Sequence, residues 1–128
     1  MPAPDVTLIS PYPPGGERHA GFSGVAGYTA RLASALADRG ADVAVVAPAE
    51  DGAAAREHHG SVRVERRFAR GPGALPRAAA AARATGAPVT HLQHETFLYG
   101  GPASVPGLPH ALRTLGGAVV TMHHVVDP

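Results

Sequence analysis

Between Asp5 and Ala47 the chain reads DVTLIS, then PYPPGGERHAGFSG, then VAGYTARLASALADRG, then ADVAVVA, and few folds accept that succession. Val6, Leu8 and Ile9 form a short apolar run and Val43 to Ala47 form another. Such runs suit strands buried on both faces, as in a parallel sheet. Between them Val25, Tyr28, Leu32 and Leu36 recur at helical spacing, which predicts that they share the inward face of a helix. Ser23 sits where an N-cap belongs and Gly40 where the chain must leave the helix. The stretch is a βαβ unit whose glycine-rich loop lies where a helix N-terminus could meet an anion.

The loop from Pro11 to Phe22 holds three prolines and the Gly15-Gly16 pair. Glycines let backbone N–H groups approach a phosphate, and a plain solvent loop is the equal alternative. After Pro48 the string AEDGAAAREHHGS is polar and without period, so it reads as a connection. Its adjacent His58 and His59 have no third ligand nearby and make no metal site.

Ser61 to Phe68, SVRVERRF, opens with alternation and is expected to be a third strand with one solvated face, at a sheet edge. Arg63, Arg66, Arg67 and Arg70 then read as charged edge protection, with a peripheral contact to anionic lipid as the other reading. LPRAAAAARATG is a strong helix former, VTHLQ (Val89 to Gln93) a fourth strand, Pro102 to Pro109 a connection and His110 to Leu115 a short helix. Ala118 to Met122 is a fifth buried strand, ending at His123-His124.

His91 and His94 are three apart in a strand and point to opposite faces, which argues against a zinc pair. His94 and Glu95 fall at the C-terminal edge of the fourth strand, where open α/β sheets place ligands; bracing of the next helix is the alternative for Glu95. The expected architecture is α/β and Rossmann-like: five mostly parallel strands in the order 3-2-1-4-5, flanked by helices. Tyr12, Gly24, Glu95 and His123 would then all lie just past strand C-termini.

With 128 residues there is room for one domain, and 45% hydrophobic content with mixed charge is globular. A net charge of +1 makes no case for nucleic acid, and the absence of cysteine excludes disulfides and thiolate metal sites. No stretch approaches about 18 consecutive apolar residues and the N-terminus lacks a signal-peptide pattern, so a cytoplasmic location is the expectation. No D-x-D string occurs, so no metal is expected, and no carboxylate pair has a hydrolase arrangement.

SPYPP, SGVAGYTARLASALADRGADVAVVAP, HLQHETFLYGG and VVTMHHVVDP together resemble the N-terminal domain of glycosyltransferases with the two-domain GT-B fold, most closely retaining family 4. Two departures are Ser23-Gly24 in place of a glycine pair and Asp42 near the usual histidine. The resemblance implies transfer of a sugar from a nucleoside-diphosphate sugar to an acceptor, with no further cofactor. It implies that Gly24 and Ser23 meet the donor diphosphate, with Gly15 and Gly16 as extra loop beside them. It implies acceptor contacts from Tyr12, His94 and Glu95, and it maps the family's Thr-x-His histidine, beside the transferred sugar, onto His123.

The resemblance covers nearly all of residues 1–128 as an acceptor-side domain, without the nucleotide-binding half, so the chain alone is expected to be inactive. A second domain or chain is the expected partner, and an open sheet edge also admits self-association. The alternatives are a non-enzymatic subunit completing a split transferase and a free-standing nucleotide or phosphate binder.

Overall fold

The computed structural model describes residues 2–14, 24–49 and 54–123. Its elements are β1 (Val6–Ile9), α1 (Gly24–Asp38), β2 (Val43–Pro48), β3 (Ala55–His59), β4 (Val62–Phe68), α2 (Ala74–Ala84), β5 (Val89–His94), a 3-10 segment (Gly101–Gly107), α3 (Leu108–Leu115) and β6 (Ala118–Met122). They form one six-stranded sheet in the order β3-β4-β2-β1-β5-β6. Every pairing is parallel except β3 with β4. The five parallel strands have the expected order; the sixth is an addition at one edge.

That addition corrects the reading of residues 49–61 as a connection. β3 carries no apolar alternation, being AREHH, and is held instead by cross-strand charge. Arg56 lies opposite Glu65, with its Nε 2.6 Å from Glu65 Oε1, and Arg66 reaches diagonally to Glu57. β4 is therefore an inner strand rather than a solvated edge, and five consecutive residues from Val62 to Arg66 are buried. Of the cluster read as edge protection, Arg63 and Arg66 are turned into the protein, while Arg67 and Arg70 are exposed. Arg66 donates to the backbone oxygens of Tyr12 (3.2 Å) and Pro13 (3.0 Å), which fixes the path of the chain leaving β1.

Two apolar layers sandwich the sheet. On one face α1 covers Leu8, Val43, Val45, Val62 and Val64; on the other α2 and α3 cover Ile9, Val46, Leu92 and Tyr99. The buried stripe of α1 is Ala26, Thr29, Ala30 and Ala33, not the predicted Val25, Tyr28, Leu32 and Leu36. The alanines let the helix axis approach the valine-rich strands closely, which moves the larger side chains to the flanks and leaves Tyr28 42% exposed. α1 ends in a Schellman motif: Ala41 N–H donates to Leu36 O and Gly40 N–H to Ala37 O, with Gly40 at φ 90°. Only a glycine takes that φ without strain.

The expected connection at Pro102 to Pro109 is instead a 3-10 segment running directly into α3, which starts at Leu108 rather than His110. Gly100 explains the tightness of the entry. A Cβ there would stand 2.6 Å from the backbone nitrogen of Gly71, and Gly71 N–H donates to Tyr99 O at 2.9 Å. Among the described residues no helix is long and apolar enough to cross a membrane.

Candidate functional site

The chain turns from one side of the sheet to the other between β1 and β5. Strand β2 lies to one side of β1 and β5 to the other, so their C-terminal ends form the topological switch point at which open α/β sheets place ligands. Tyr99 holds those two ends together from the α2 side. Its hydroxyl lies 3.2 Å from Ile9 O and 2.5 Å from Gln93 O, and burial raises its pKa well above that of free tyrosine. On the α1 side, Ser10 donates to Pro11 O (2.8 Å) and shares a 2.7 Å hydrogen bond with Thr29. Both hydroxyls are fully buried, so the opening turn of α1 is pinned to the end of β1.

On the α1 side of β5 and β6 a polar row follows from strand parity. His91 and Gln93 point to this face, and the register places Val119 opposite His91 and Thr121 opposite Gln93. His123 continues β6, its N–H donating to His94 O at 2.9 Å. Its ring Nε2 is hydrogen-bonded to Gln93 Oε1. The Gln93 amide nitrogen is 3.3 Å from His91 Nε2, which is also 2.6 Å from the Thr121 hydroxyl.

One assignment of hydrogens fits the row: His123 Nε2–H donates to the Gln93 carbonyl, and the Thr121 hydroxyl donates to the single lone pair of His91 Nε2, with the Gln93 amide a longer, shared donor to the same atom. His91 is then neutral, in keeping with a pKa lowered by burial first and by His123 second. His123 is left with Nδ1 as an acceptor. Tyr28, one turn into α1, packs its ring edge-on to His123 with centroids 5.3 Å apart.

Tyr28 links His123 to α1, the helix that Gly24 opens. Among the described residues, a Cβ on Gly24 would meet nothing within 4 Å. Ser23, Gly15 and Gly16 lie outside the described residues.

His94 points the opposite way from Gln93. It is 4% exposed and stacked on Tyr99 in the α2-side core, with ring centroids 6.1 Å apart. Burial, only partly offset by Glu95, lowers its pKa, and neither ring nitrogen has a hydrogen-bond partner among the described residues. Tyr12 is 3% exposed, its ring edge-on to His59 at 5.0 Å, on the β3 side of the sheet rather than beside His123. Glu95 takes the Phe97 N–H on Oε1 at 3.1 Å, bracing the turn after β5. Of the four residues expected to converge, Gly24 opens the helix whose Tyr28 packs on His123, Glu95 follows β5 in a turn, and the buried Tyr12 packs on His59.

The sequence reading missed Gln93, Tyr28, His91 and Thr121. The signal was available in the i, i+2 pairs of β5 and β6, which align His91 with Gln93 and Thr121 with His123 once the register is known. Among the described residues no three metal-ligating side chains gather.

The family model for Glycosyltransferase Family 4 matches residues 22–128. The chain belongs to that family. The match takes in α1, the β5 row and His123, so the family 4 segment contains every residue of the row and the helix beside it. No curated protein and no solved structure matches the chain. Glycosyltransferase-like function follows from family membership, and the Rossmann-like sheet is its framework.

Proposed function

We propose that this family 4 chain is the acceptor-side domain of a retaining glycosyltransferase that takes its sugar from a nucleoside-diphosphate donor. The observation that supports this most is His123, held by Gln93 and flanked by Tyr28 at the opening of α1. In this reading His123 Nδ1 accepts a hydrogen bond from a hydroxyl of the transferred sugar and orients it. The first N–H groups of α1, around Gly24 and Ser23, face the diphosphate, where helix-end donors favour negative charge. As the bond from the anomeric carbon to the diphosphate oxygen breaks, the electron pair leaves with the phosphate, and preorganised donors stabilise it. The acceptor hydroxyl oxygen bonds to the same face of the carbon, retaining its configuration, and its proton passes to the departing diphosphate oxygen.

Glu95 is the acceptor-side polar group, and Tyr12 and His94 support the wall from within; Gly15 and Gly16, assigned to the diphosphate by resemblance, lie outside the described residues. A donor-binding domain completes the cleft, and without it transfer is inefficient. Transfer assays with UDP- and GDP-sugars, run with that domain present, test the reading. His123→Ala should lower kcat by about a hundredfold or more while the fold stays intact, the scale of losing one preorganised hydrogen bond. Undiminished transfer by the variant would exclude the assigned role, and failure of every donor would exclude the activity.

A further inference from the structure

Gln93 is the pivot of the polar row on β5 and β6. Its side chain is fully buried, so neither end of the amide turns to water and each needs a partner in the protein. The nitrogen end stands 3.3 Å from His91 Nε2, and the oxygen end is bonded to His123 Nε2. His91 Nε2 also lies 2.6 Å from the Thr121 hydroxyl. The strand neighbours of His91 at the same level are Leu8 of β1 and Val119 of β6, which bring no competing polar group.

With both rings neutral, such a row closes in either of two opposite directions. If His91 Nε2 is bare, it takes the Thr121 hydroxyl and, at longer range, the Gln93 amide. The Gln93 carbonyl then faces His123 and keeps the proton on its Nε2, which leaves Nδ1 bare. If His91 Nε2 carries the proton, Gln93 turns over, and His123 holds its own proton on Nδ1. A carbonyl turned toward a bare Nε2 would set lone pairs against each other in a buried space, so the two ends of the row are coupled. Thr121 decides the direction: its hydroxyl hydrogen has His91 Nε2 as an acceptor at 2.6 Å, which holds that nitrogen bare. Burial and the nearby His123 both lower the His91 pKa, in keeping with a neutral ring.

We propose that His91 is a positioning residue for His123: its bare Nε2 sets the direction of the Gln93 amide, and the amide sets the tautomer of His123. His91 itself touches no substrate in this scheme. An acceptor at His123 Nδ1 takes the hydrogen of a hydroxyl and turns away a carbonyl or carboxylate oxygen, so the direction of the row selects what lies against the ring. That consequence for transfer rests on the reading of His123 as the partner of the sugar; the tautomer itself does not.

The test is long-range proton–nitrogen NMR correlation of the full chain without substrate, at about pH 9, well above the ordinary histidine range. Wild-type His123 should show a bare Nδ1 and a protonated Nε2, and His91 the reverse. His91→Leu should move both His123 nitrogens toward averaged values, because the Gln93 amide loses its fixed end. His91→Gln, whose Oε1 can stand where the ring Nε2 stood, should restore the wild-type pattern, which a merely structural role would not require. Circular dichroism confirms that each variant is folded. In transfer assays with the donor-binding domain present, His91→Leu should lower kcat about fivefold with little change in KM, the scale of one neutral hydrogen bond. In the His123→Ala background it should cost nothing further. A wild-type His123 protonated on Nδ1, or a His91→Leu chain with the wild-type pattern, would overturn the proposal. Failure of every donor sugar would tell against the transferase reading alone, since the spectra need no substrate.

Discussion

The two sides of the sheet beyond β1 are finished in different ways. On the β2 side, β4 is buried on both faces although three of its residues are Arg63, Glu65 and Arg66, and β3 closes the edge beside it. On the β5 side, β6 is apolar by sequence, AVVTM, yet Val119 is 54% and Met122 49% exposed. Charge is inside on one side and hydrocarbon outside on the other, the reverse of what composition alone would assign. The first arrangement is structural: buried charges survive because each has a partner of opposite sign or a backbone carbonyl. The second leaves His91 and His123 half-buried on either side of the fully buried Gln93.

The most severe way to break the comparison is to remove Arg66. Arg66→Ala should cost about 3–5 kcal/mol, because three backbone carbonyls and Glu57 lose a buried cation. The shift of the urea unfolding midpoint measures it, and a loss below about 1 kcal/mol would show that the charges of β4 are incidental.

Tyr99→Phe comes next. It removes the hydroxyl bridging Ile9 O and Gln93 O and should cost about 1–3 kcal/mol by the same measurement. It should also loosen the β1–β5 junction, which amide hydrogen exchange at Leu92 and Gln93 would register.

These outcomes bear on what the amino-acid sequence could disclose. Parallel strands β1, β2, β5 and β6 were legible because Val and Ile runs bounded by Gly and Pro have few other solutions. β3 was not, because AREHH forms a strand only against the charges of β4, and pairing partners distant in sequence leave no local pattern. The inward face of α1 was misread for a related reason: periodicity weighs Leu and Tyr heavily, whereas close helix-on-sheet packing selects Ala26, Ala30 and Ala33. At the site, His123 could be marked from its place after a strand and its motif. Gln93 could not, since its role depends on cross-strand register; His94 does end β5 as expected, and its ring lies buried against Tyr99.

A smaller effect separates the two sides by pH. Glu57 is held below the ordinary carboxylate range chiefly by its hydrogen bond from Arg66; burial raises Glu65, but bonds from Arg67 and Arg56 outweigh it and leave it lowered too. A lowered carboxylate pKa means the unfolded chain binds the proton first. That stability is full above about pH 4.3 and is lost as pH falls through the folded values. His91 and His94 are also lowered, so their contribution is full above about pH 6.5 and declines below it. Stability should therefore fall in two stages on acidification. Arg66→Ala should blunt the lower stage and His94→Leu the upper.

The smallest expected effect is on His94→Leu at neutral pH. It exchanges a buried ring without hydrogen bonds for hydrocarbon, so stability should change by less than about 1.5 kcal/mol. Acceptor affinity should not move in calorimetry, because the ring lies in the core; a clear loss of affinity would return His94 to the site.

The most direct test of the central claim is a double-mutant cycle on sugar transfer, with Gln93→Leu, His123→Ala and the pair, assayed with the donor-binding domain present. If Gln93 acts by holding His123, Gln93→Leu alone should lower kcat about tenfold or more, and adding it to His123→Ala should cost almost nothing further. Losses that multiply independently, or a Gln93→Leu enzyme working at the wild-type rate, would contradict the assignment of the β5–β6 row as the site of sugar transfer.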